Sequence, residues 1–275
     1  MHPERYALTF ACYNQLAYTR HCIESLVQCG LDLGRLVVVD NASHDGTWDY
    51  LESLPLGGRI RNRNNLGCGV AWNQGALALQ AEWTVVMNND LLVTPGWLAG
   101  LIGCAEAQRL RILSPAMIEG ALDYDLNAFA SEAAQKMGQV VRLGGKHAVC
   151  MAIHQSVWQE IGYFQANPRL LGYEDTLFFH AAEQAAIPSA ITGAAWIHHF
   201  GSITQSAMKR ERGIAEQQVL NDRRYNKAQL GSSWIGRKIA RLRQRRRARS
   251  WREQELKRCA MTLHGERREG AFYWR

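Results

Sequence analysis

Three consecutive polar residues, Asn88, Asn89 and Asp90, follow directly on the hydrophobic run WTVVM at residues 83–87. A Pro-Gly pair then precedes a predicted helix. Mg²⁺ and Mn²⁺ prefer oxygen ligands, often one or two carboxylates together with phosphate oxygens and water. One carboxylate with flanking amides could hold such a cation against a diphosphate, and a simple turn ahead of a helix explains the same residues without any chemistry.

Polar residues also end the other three strands that the sequence predicts in its first hundred residues. They are Tyr13-Asn14, Asp40-Asn41 and Asn64-Asn65, at the ends of YALTFAC, LVVVD and GRIRNR. Asn and Asp are ordinary turn formers, so one such ending says little. Because ligands of open α/β sheets bind at the carboxyl ends of the strands, four such endings predict one nucleotide-sized site at this edge.

Asp40 and the loop around Gly67 each allow two interpretations. Asp40 could cap the turn that follows it, or accept a hydrogen bond from a base or ribose. Gly67 and Gly69 could be half of a dinucleotide-binding GxGxxG, but the third glycine position is Trp72 and the segment follows the third strand, not the first. The sequence also lacks GxxxxGK[ST], so a Rossmann oxidoreductase or a P-loop enzyme is disfavoured.

The strand pattern predicts the fold class. Continuous β-branched runs separated by helical segments indicate parallel strands that are covered by helices on both faces. The predicted helices in this half cover residues 15–29, 43–54 and 69–81. We therefore expect an α/β protein with an open, mostly parallel sheet flanked by helices, followed by a basic helical C-terminal tail.

Two acids and two histidines further along the chain are candidates for chemistry. Glu174 and Asp175 stand at the start of a predicted helix, where acids commonly act as caps, but one could also accept a proton while the other orients. His198 and His199 close a predicted strand, on which neighbours face opposite sides, so at most one should face the site. That histidine is either structural or completes the coordination of a metal-bound diphosphate.

The charge of the chain is divided unevenly. Residues 1–208 contain 12 Lys/Arg and 18 Asp/Glu, a net of −6, whereas residues 209–275 contain 20 and 7, a net of +13. We therefore predict an enzyme body at 1–208 and a basic helical extension at 209–275. The extension suits an anionic membrane surface, although a solvated helix or a disordered tail explains it as well. Nucleic acid is disfavoured as a partner because the extension contains no recognisable binding module.

Composition bears on the cellular compartment. Seven scattered cysteines without a CxxC pair indicate reduced thiols in a cytosolic setting, not a disulfide framework. The first residues lack the features of a signal peptide, and no apolar run approaches the roughly 20 residues of a membrane span. We expect a cytoplasmic protein, with the basic extension allowing a peripheral position on the inner face of the membrane.

Together these segments resemble the family 2 glycosyltransferases, which are inverting enzymes of GT-A fold. The resemblance extends from Tyr6 to about Ser202. It rests on an ordered series of segments: ACYNQ, LVVVDNASHDGT, NRNNLGCGVAWNQG, VVMNNDLLVTPGWL, IGYFQANPRLLGYEDTLF and HHFGS. The sequence is most similar to the branch that contains rhamnosyl- and galactofuranosyl-transferases of surface polysaccharides.

The resemblance implies a nucleoside-diphosphate sugar as donor, with UDP and dTDP carriers both compatible, and a glycan or lipid-linked glycan as acceptor. Residues 1–100 would form the nucleotide-sugar half of the body and residues 101–208 the acceptor half. The residues implied to bind the nucleotide sugar are Tyr13, Asn14, Asp40, Asn65, Gly67, Asn88 and Asn89.

The resemblance also implies catalytic and metal-binding roles. Asn88-Asn89-Asp90 matches the DxD motif, with Asp90 as its last acid and Mg²⁺ or Mn²⁺ as the cation. The first acid is replaced by Asn88, which implies a more weakly held metal. Asp175 matches the catalytic base, with Glu174 as its partner.

The two histidines, His198 and His199, match a position that can ligate the metal. A second acid that is common in the family two residues after the Glu-Asp pair is Leu177 here, which leaves one acceptor contact open. Two other functions stay compatible with the sequence: a nucleotidyltransferase, although a basic Gly-rich loop after the first strand is missing, and a non-catalytic binding module.

Overall fold

The structure is a computed structural model that describes residues 5–166, 173–201, 203, 224–225, 228, 230 and 234–275. The four strands predicted in the first hundred residues are present and mutually parallel. They are β1 (Tyr6–Cys12), β2 (Leu36–Asp40), β3 (Gly58–Arg61) and β4 (Trp83–Asn88), in the spatial order β4-β1-β2-β3. The helices between them are α1 (Leu16–Gln28), α2 (Thr47–Glu52) and α3 (Cys68–Ala78).

The central strands are buried on both faces. In β4, Val85 and Met87 belong to one apolar core, which also contains Leu26 of α1. Val86, between them, belongs to the core on the other face together with Trp72 of α3. Full burial of one such side chain stabilises the fold by about 1.5–3 kcal/mol. Because helices cover both faces, the strand appears in the sequence as an unbroken apolar run, which is why its position could be predicted.

The second half of the chain makes the sheet mixed. Its elements are β5 (Leu91–Val93), α4 (Trp97–Ala107), β6 (Ile112–Gly120), α5 (Leu126–Met137), β7 (Val141–Leu143), β8 (Cys150–His154), α6 (Gln155–Ile161), α7 (Glu174–Gln184) and β9 (Ser189–His199). β8 lies antiparallel between β4 and β6, and β9 runs parallel to β6. β5 and β7 pair with β9 in antiparallel fashion.

The C-terminal residues return to this sheet. After α8 (Trp234–Cys259), strand β10 (His264–Arg268) runs parallel to β6 and strand β11 (Ala271–Trp274) pairs antiparallel with β10. The expected basic helix is therefore present in α8, but the last residues are strands and not a continuation of it. The reason is packing, because buried Leu263 and the rings of Phe272 and Trp274 join an apolar cluster with β6. Of the predicted extension at residues 209–275, residues 209–223, 226–227, 229 and 231–233 lie outside the described residues.

A buried ion pair attaches α8 to the body. Arg142 of β7 donates hydrogen bonds of 2.9 and 2.6 Å to the two carboxylate oxygens of Glu255, and both side chains are almost fully buried. Removing one partner of such a pair leaves an uncompensated buried charge, so this contact fixes the C-terminal end of α8. Within the described ranges, no helix combines the length and the apolar composition that crossing a membrane requires.

Candidate active site

A cavity of about 440 Å³ lies at the carboxyl ends of β1 and β4. The loops after these strands, the beginnings of α3 and α7, and the ends of β6 and β9 form its wall. The residues predicted from the sequence that line it are Tyr13, Asn65, Gly67, Asn88, Asn89, Asp90, Glu174, Asp175 and His199. The parallel strands thus bring together polar residues that are separated by up to 186 positions in the chain.

Asp90 and His199 meet at the wall of the cavity, and both are almost completely buried. β5 and β9 pair with Leu91 opposite His199, which places the preceding Asp90 beside the imidazole. Asp90 Oδ1 and His199 Nε2 lie 3.3 Å apart but are not aligned as a hydrogen bond, and neither atom has another hydrogen-bond partner in the described residues. Buried polar atoms without partners are costly, so this pair has the character of a ligand site.

The other nitrogen of His199 is held by Glu119 of β6. His199 Nδ1 lies 3.2 Å from Glu119 Oε1. Burial disfavours the imidazolium, but the carboxylates of Asp90 and Glu119 outweigh it and raise the pKa of His199 to about 9. A metal-bound imidazole is neutral, and in the neutral ring a carboxylate on Nδ1 favours the tautomer in which Nε2 presents its lone pair to the metal, an arrangement that is common around metal-binding histidines. Asp90 and His199 could therefore hold a divalent cation.

His198 lies on the opposite side of β9 from His199. Its Nδ1 is 2.9 Å from the hydroxyl oxygen of Tyr124, and its ring packs edge-on against Phe200 at 4.7 Å between centroids. Burial lowers the pKa of His198 to about 4, which keeps the ring neutral. As expected for neighbours on an extended strand, one histidine of the pair lines the cavity, and it is His199. His198 is therefore not a candidate metal ligand.

Glu174 and Asp175 form the first turn of α7 at the cavity wall. Burial, together with the charge of Asp175, raises the pKa of Glu174 to about 7. Asp175 Oδ1 accepts a hydrogen bond of 2.6 Å from the backbone N–H of Thr176. Glu174 can approach α3 because residue 69 is glycine, at which a Cβ atom would lie 2.8 Å from the Cβ of Glu174. Gly69 thus permits the close packing that puts both acids in the cavity.

Cys68 is the residue before Gly69, where α3 and α7 are in close contact. Cys68 begins α3 and lines the cavity. Burial raises the pKa of Cys68, and the nearby charges of Glu174, Asp90 and Asp175 raise it further. The pKa of Cys68 is thus raised by carboxylates of α7 and of the loop between β4 and β5.

Asn14 and Asp40 do not line the cavity but stabilise the loops at its edge. The backbone N–H of Asn14 donates to Ser43 Oγ at 2.8 Å, and Asn14 Oδ1 accepts a hydrogen bond of 2.8 Å from the N–H of His44. Asp40 is fully buried, accepts a hydrogen bond of 2.9 Å from the N–H of Ser43 and lies 3.5 Å from Arg61 Nε. These contacts match the interpretation of Asp40 as a turn cap.

The loop at Gly67 is shaped by two asparagines. The N–H of Gly67 donates to Asn65 Oδ1 at 3.0 Å, and Asn41 Nδ2 donates to the carbonyl oxygen of Gly67 at 3.3 Å. Gly67 has a φ of 87°, a left-handed conformation that favours glycine. Asn41 lines the cavity; the sequence places it with Asp40 at a strand end of the predicted site but assigns a binding role only to Asp40.

Several other lining residues were missed: Trp72, Glu119, Lys146 and His147. Glu119 carries no local sequence signal, because only the pairing of β6 with β9 sets it opposite His199. His147 Nε2 is 2.8 Å from the carbonyl oxygen of Pro115, and burial lowers the pKa of His147 to about 4.

The cavity is acidic. Its lining contains the carboxyl groups of Asp90, Glu119, Glu174 and Asp175 against two cationic groups, Lys146 and the imidazolium of His199, so acids outnumber cations among the described lining residues. A diphosphate would be repelled by this charge unless a cation bound with it. The charge of the lining and the Asp90–His199 pair are therefore both consistent with a diphosphate that binds together with a divalent cation.

The family comparison agrees with this arrangement. The model of glycosyl transferase family 2 matches residues 10–176, which is more than half of the chain. The chain belongs to glycosyl transferase family 2. This confirms the family that the ordered segments predicted, and it favours a glycosyltransferase over a nucleotidyltransferase or a binding module. The rhamnosyl- and galactofuranosyl-transferase branch stays a prediction. A comparison with curated proteins finds no match.

Solved glycosyltransferase structures share the fold of this family 2 protein, which is of GT-A type. GalNAc-T7 with UDP, GalNAc and Mn²⁺ has a TM-score of 0.58 at 14% identity, over 71% of this chain and 44% of that one. S. aureus TarS 1–349 has a TM-score of 0.53 at 16% identity, over 71% and 60%. The same TarS fragment with UDP-GlcNAc gives 0.53 at 17%, over 74% and 61%. The matched region spans less than two thirds of each of these chains.

Proposed function

We propose that this glycosyltransferase moves a sugar from a UDP- or dTDP-linked donor to a hydroxyl group of a glycan or lipid-linked glycan, with inversion of the anomeric centre. The observation that carries the proposal is a single cavity lined by both the Asp90–His199 pair and the Glu174–Asp175 pair. The first pair would serve the leaving diphosphate, and the second would serve the attacking hydroxyl.

Mg²⁺ or Mn²⁺ fits the first pair, because Asp90 Oδ1 and His199 Nε2 are buried and adjacent, and neither has a hydrogen-bond partner among the residues that the structure describes. In the described part of the chain, no group of three or more His, Cys, Asp or Glu is arranged to hold a metal. The remaining ligands would then be diphosphate oxygens and water, as is usual for Mg²⁺. When bound, the cation supplies positive charge that offsets the negative charge developing on the diphosphate as the sugar departs.

The nucleoside would lie along the strand ends. Tyr13, Asn41, Asn65 and Gly67 line this part of the cavity, and Asn14 and Asp40 would hold the loops that carry them. Asn88 and Asn89 line the space next to Asp90, but Asn89 Nδ2 donates a buried hydrogen bond of 3.0 Å to Thr19 Oγ1 and would hold the loop, so the amide of Asn88 is the one that would bind the donor. The related structures contain UDP or UDP-GlcNAc, so a uridine carrier is the first candidate to test.

Asp175 would act as the general base. A carboxylate at the cavity wall can take the proton of an acceptor hydroxyl, which then attacks the sugar on the face opposite the diphosphate. A single displacement of this kind inverts the anomeric centre, by the same logic as in inverting glycosidases. Glu174 lies deeper, and its raised pKa suits an orienting role beside the base.

Binding of sugar nucleotides tests the donor. A thermal-shift screen of UDP- and dTDP-sugars, each with and without Mn²⁺, should show one donor that raises the melting temperature and does so more with the metal, because a ligand stabilises the folded state by mass action. Transfer to candidate glycans with that donor, followed by NMR of the product anomer, tests inversion. Retention of configuration, or a donor response that is identical without metal, would contradict the proposal.

The basic helix gives the protein a surface for anionic membrane lipids. Residues 238–250 of α8 are exposed throughout, including Ile239 and Leu242, and the arginines among them cover the helix. Lipid headgroups attract basic residues by about 1 kcal/mol each near the surface. A cytoplasmic enzyme bound peripherally to the inner face of the membrane would meet a lipid-linked acceptor there.

A further inference from the structure

Glu119 lies between the cavity and the C-terminal hairpin formed by β10 and β11. β6 has β9 on one side and β10 on the other, and Glu119 is opposite His199 on β9 and opposite Glu266 on β10. His264 precedes Glu266 by two residues, so its side chain lies on the same face of the sheet as that of Glu119. The topology therefore brings the hairpin to the back of the cavity wall.

Three groups converge on the Glu119 carboxylate. His199 Nδ1 lies 3.2 Å from Oε1, while His264 Nε2 and Arg275 Nη1 each lie 2.9 Å from Oε2. Arg275 also pairs with Glu266, so its charge is shared between two carboxylates. Both carboxylate oxygens thus have partners. The contacts of Oε2 with His264 and Arg275 fix the carboxylate in the orientation in which Oε1 contacts His199.

We propose that His264 and Arg275 are positioning residues of the active site, which act through Glu119 to aim His199 Nε2 at Asp90. This rests on the proposed function, because it assigns the hairpin to the cation-binding pair. It adds the C-terminal hairpin to a site in which His199 already lies beyond residues 10–176, the part of the chain that the family model covers. The hairpin would set how tightly the cation and the diphosphate are held, without touching either.

The contacts of His264 and Arg275 favour a role in positioning His199 over a role in attaching the hairpin to the rest of the sheet. Attachment is already provided by the pairing of β10 with β6 and by Arg252, whose Nε donates to the carbonyl oxygen of Trp274 at 2.9 Å. Arg275 and His264 instead direct their side chains to a carboxylate that holds a buried histidine of the cavity. Partners that orient a metal-binding histidine typically contribute 10- to 100-fold to metal affinity.

Mn²⁺ affinity of the full chain in the presence of UDP, measured by titration calorimetry, tests the proposal. Glu119→Gln should weaken Mn²⁺ binding by about 10- to 100-fold. Arg275→Gln and His264→Gln should each weaken it by a smaller factor. Arg275→Lys, which keeps a positive charge beside Glu119, should retain more affinity than Arg275→Gln. Arg252→Gln is the matched control, since it removes a contact to the same hairpin that does not involve Glu119, and it should leave Mn²⁺ affinity unchanged.

The double variant Glu119→Gln/Arg275→Gln separates positioning from a structural effect. If Arg275 acts through Glu119, the double variant binds Mn²⁺ no more weakly than Glu119→Gln alone. A structural effect would instead add to that loss and would appear in Arg252→Gln as well. Melting temperatures identify any variant that fails to fold, and His264→Gln then provides the same comparison with the arginine in place.

The outcomes distinguish this inference from the proposed function. Mn²⁺ affinity equal to wild type in both Arg275→Gln and His264→Gln, or additive losses in the double variant, overturns the positioning role while the cation site stands. A wild-type protein that binds no Mn²⁺ in the presence of UDP overturns the proposed cation site, and the positioning role with it.

Discussion

Asp175 and Asp90 line one cavity, but the proposed mechanism assigns them to different substrates. Asp175→Asn should reduce transfer by about 10²- to 10⁴-fold, the usual contribution of a general base. It should leave UDP affinity in the presence of Mn²⁺ nearly unchanged, because the base acts on the acceptor. Transfer rates and calorimetry with UDP measure the two effects. Asp125→Asn is a matched control, since Asp125 caps α5 outside the cavity and asparagine caps equally well.

The opposite pattern is expected at Asp90. Asp90→Asn keeps the shape of the side chain but removes the charge that would attract a cation, so the gain in UDP affinity on adding Mn²⁺ should be lost. UDP titrations with Mn²⁺ and with a chelator measure this gain. If the variant keeps the wild-type response to Mn²⁺, the cation does not bind at this residue.

Glu174 makes stability depend on pH. Burial raises its pKa from 4.5 to about 7, so the folded state binds the proton more tightly than the unfolded state. The stability that this proton contributes is fully present below pH 4.5 and is lost as the pH rises to about 7. Raising the pH from 5 to 8 should therefore lower the melting temperature of Glu174→Gln less than that of the wild type. Equal losses in the two proteins would show that Glu174 is not buried in this way.

At the scale of elements, the approach of α7 to α3 depends on one glycine. A Cβ at Gly69 would lie 2.8 Å from the Cβ of Glu174, closer than such atoms normally come. Gly69→Ala should thus shift the start of α7 and reduce transfer, while the parallel strands stay intact by circular dichroism. Gly103→Ala in α4 is the control, because nothing lies within 4 Å of its Cβ. It should stabilise the fold by about 0.5–1 kcal/mol and leave transfer unchanged.

The elements differ in how well the sequence predicts them. β2 was predicted at its observed bounds, Leu36–Asp40, because it is apolar throughout and buried on both faces. β10 and β11 were missed because Arg267 and Arg268 of β10 continue the basic composition of the helix before them, and the pairing of β10 with β6 is a contact between distant residues. A local pattern identifies a strand most clearly where burial is complete, and it gives no such signal for these two partly exposed strands.

At the scale of the whole molecule, α8 gives the enzyme a basic surface apart from the acidic cavity. Replacing Arg241, Arg245 and Arg249, which recur at helical spacing and are exposed, by glutamine should weaken binding to phosphatidylglycerol vesicles. At about 1 kcal/mol per residue the loss is on the order of 100-fold. Vesicle co-sedimentation measures it, and raised salt should weaken wild-type binding as well.

Two comparisons control this prediction. Replacing three exposed arginines of the body, Arg20, Arg63 and Arg109, by glutamine removes the same charge and should have little effect. Vesicles of phosphatidylcholine alone should not bind the wild type. If the two triple variants behave alike, net charge and not the helix determines membrane binding.

The sequence by itself located the polar strand ends and the histidine pair, because each lies at the boundary of an apolar run, and it placed the two acids at the start of a helix. It could not decide which histidine faces the cavity, that Asp40 holds a turn, or that Glu119 and the C-terminal hairpin lie behind His199. Those relations join residues up to 156 positions apart, as from Glu119 to Arg275. They depend on the order and register of strands in the sheet, which no local pattern encodes, so only the tertiary structure could decide them.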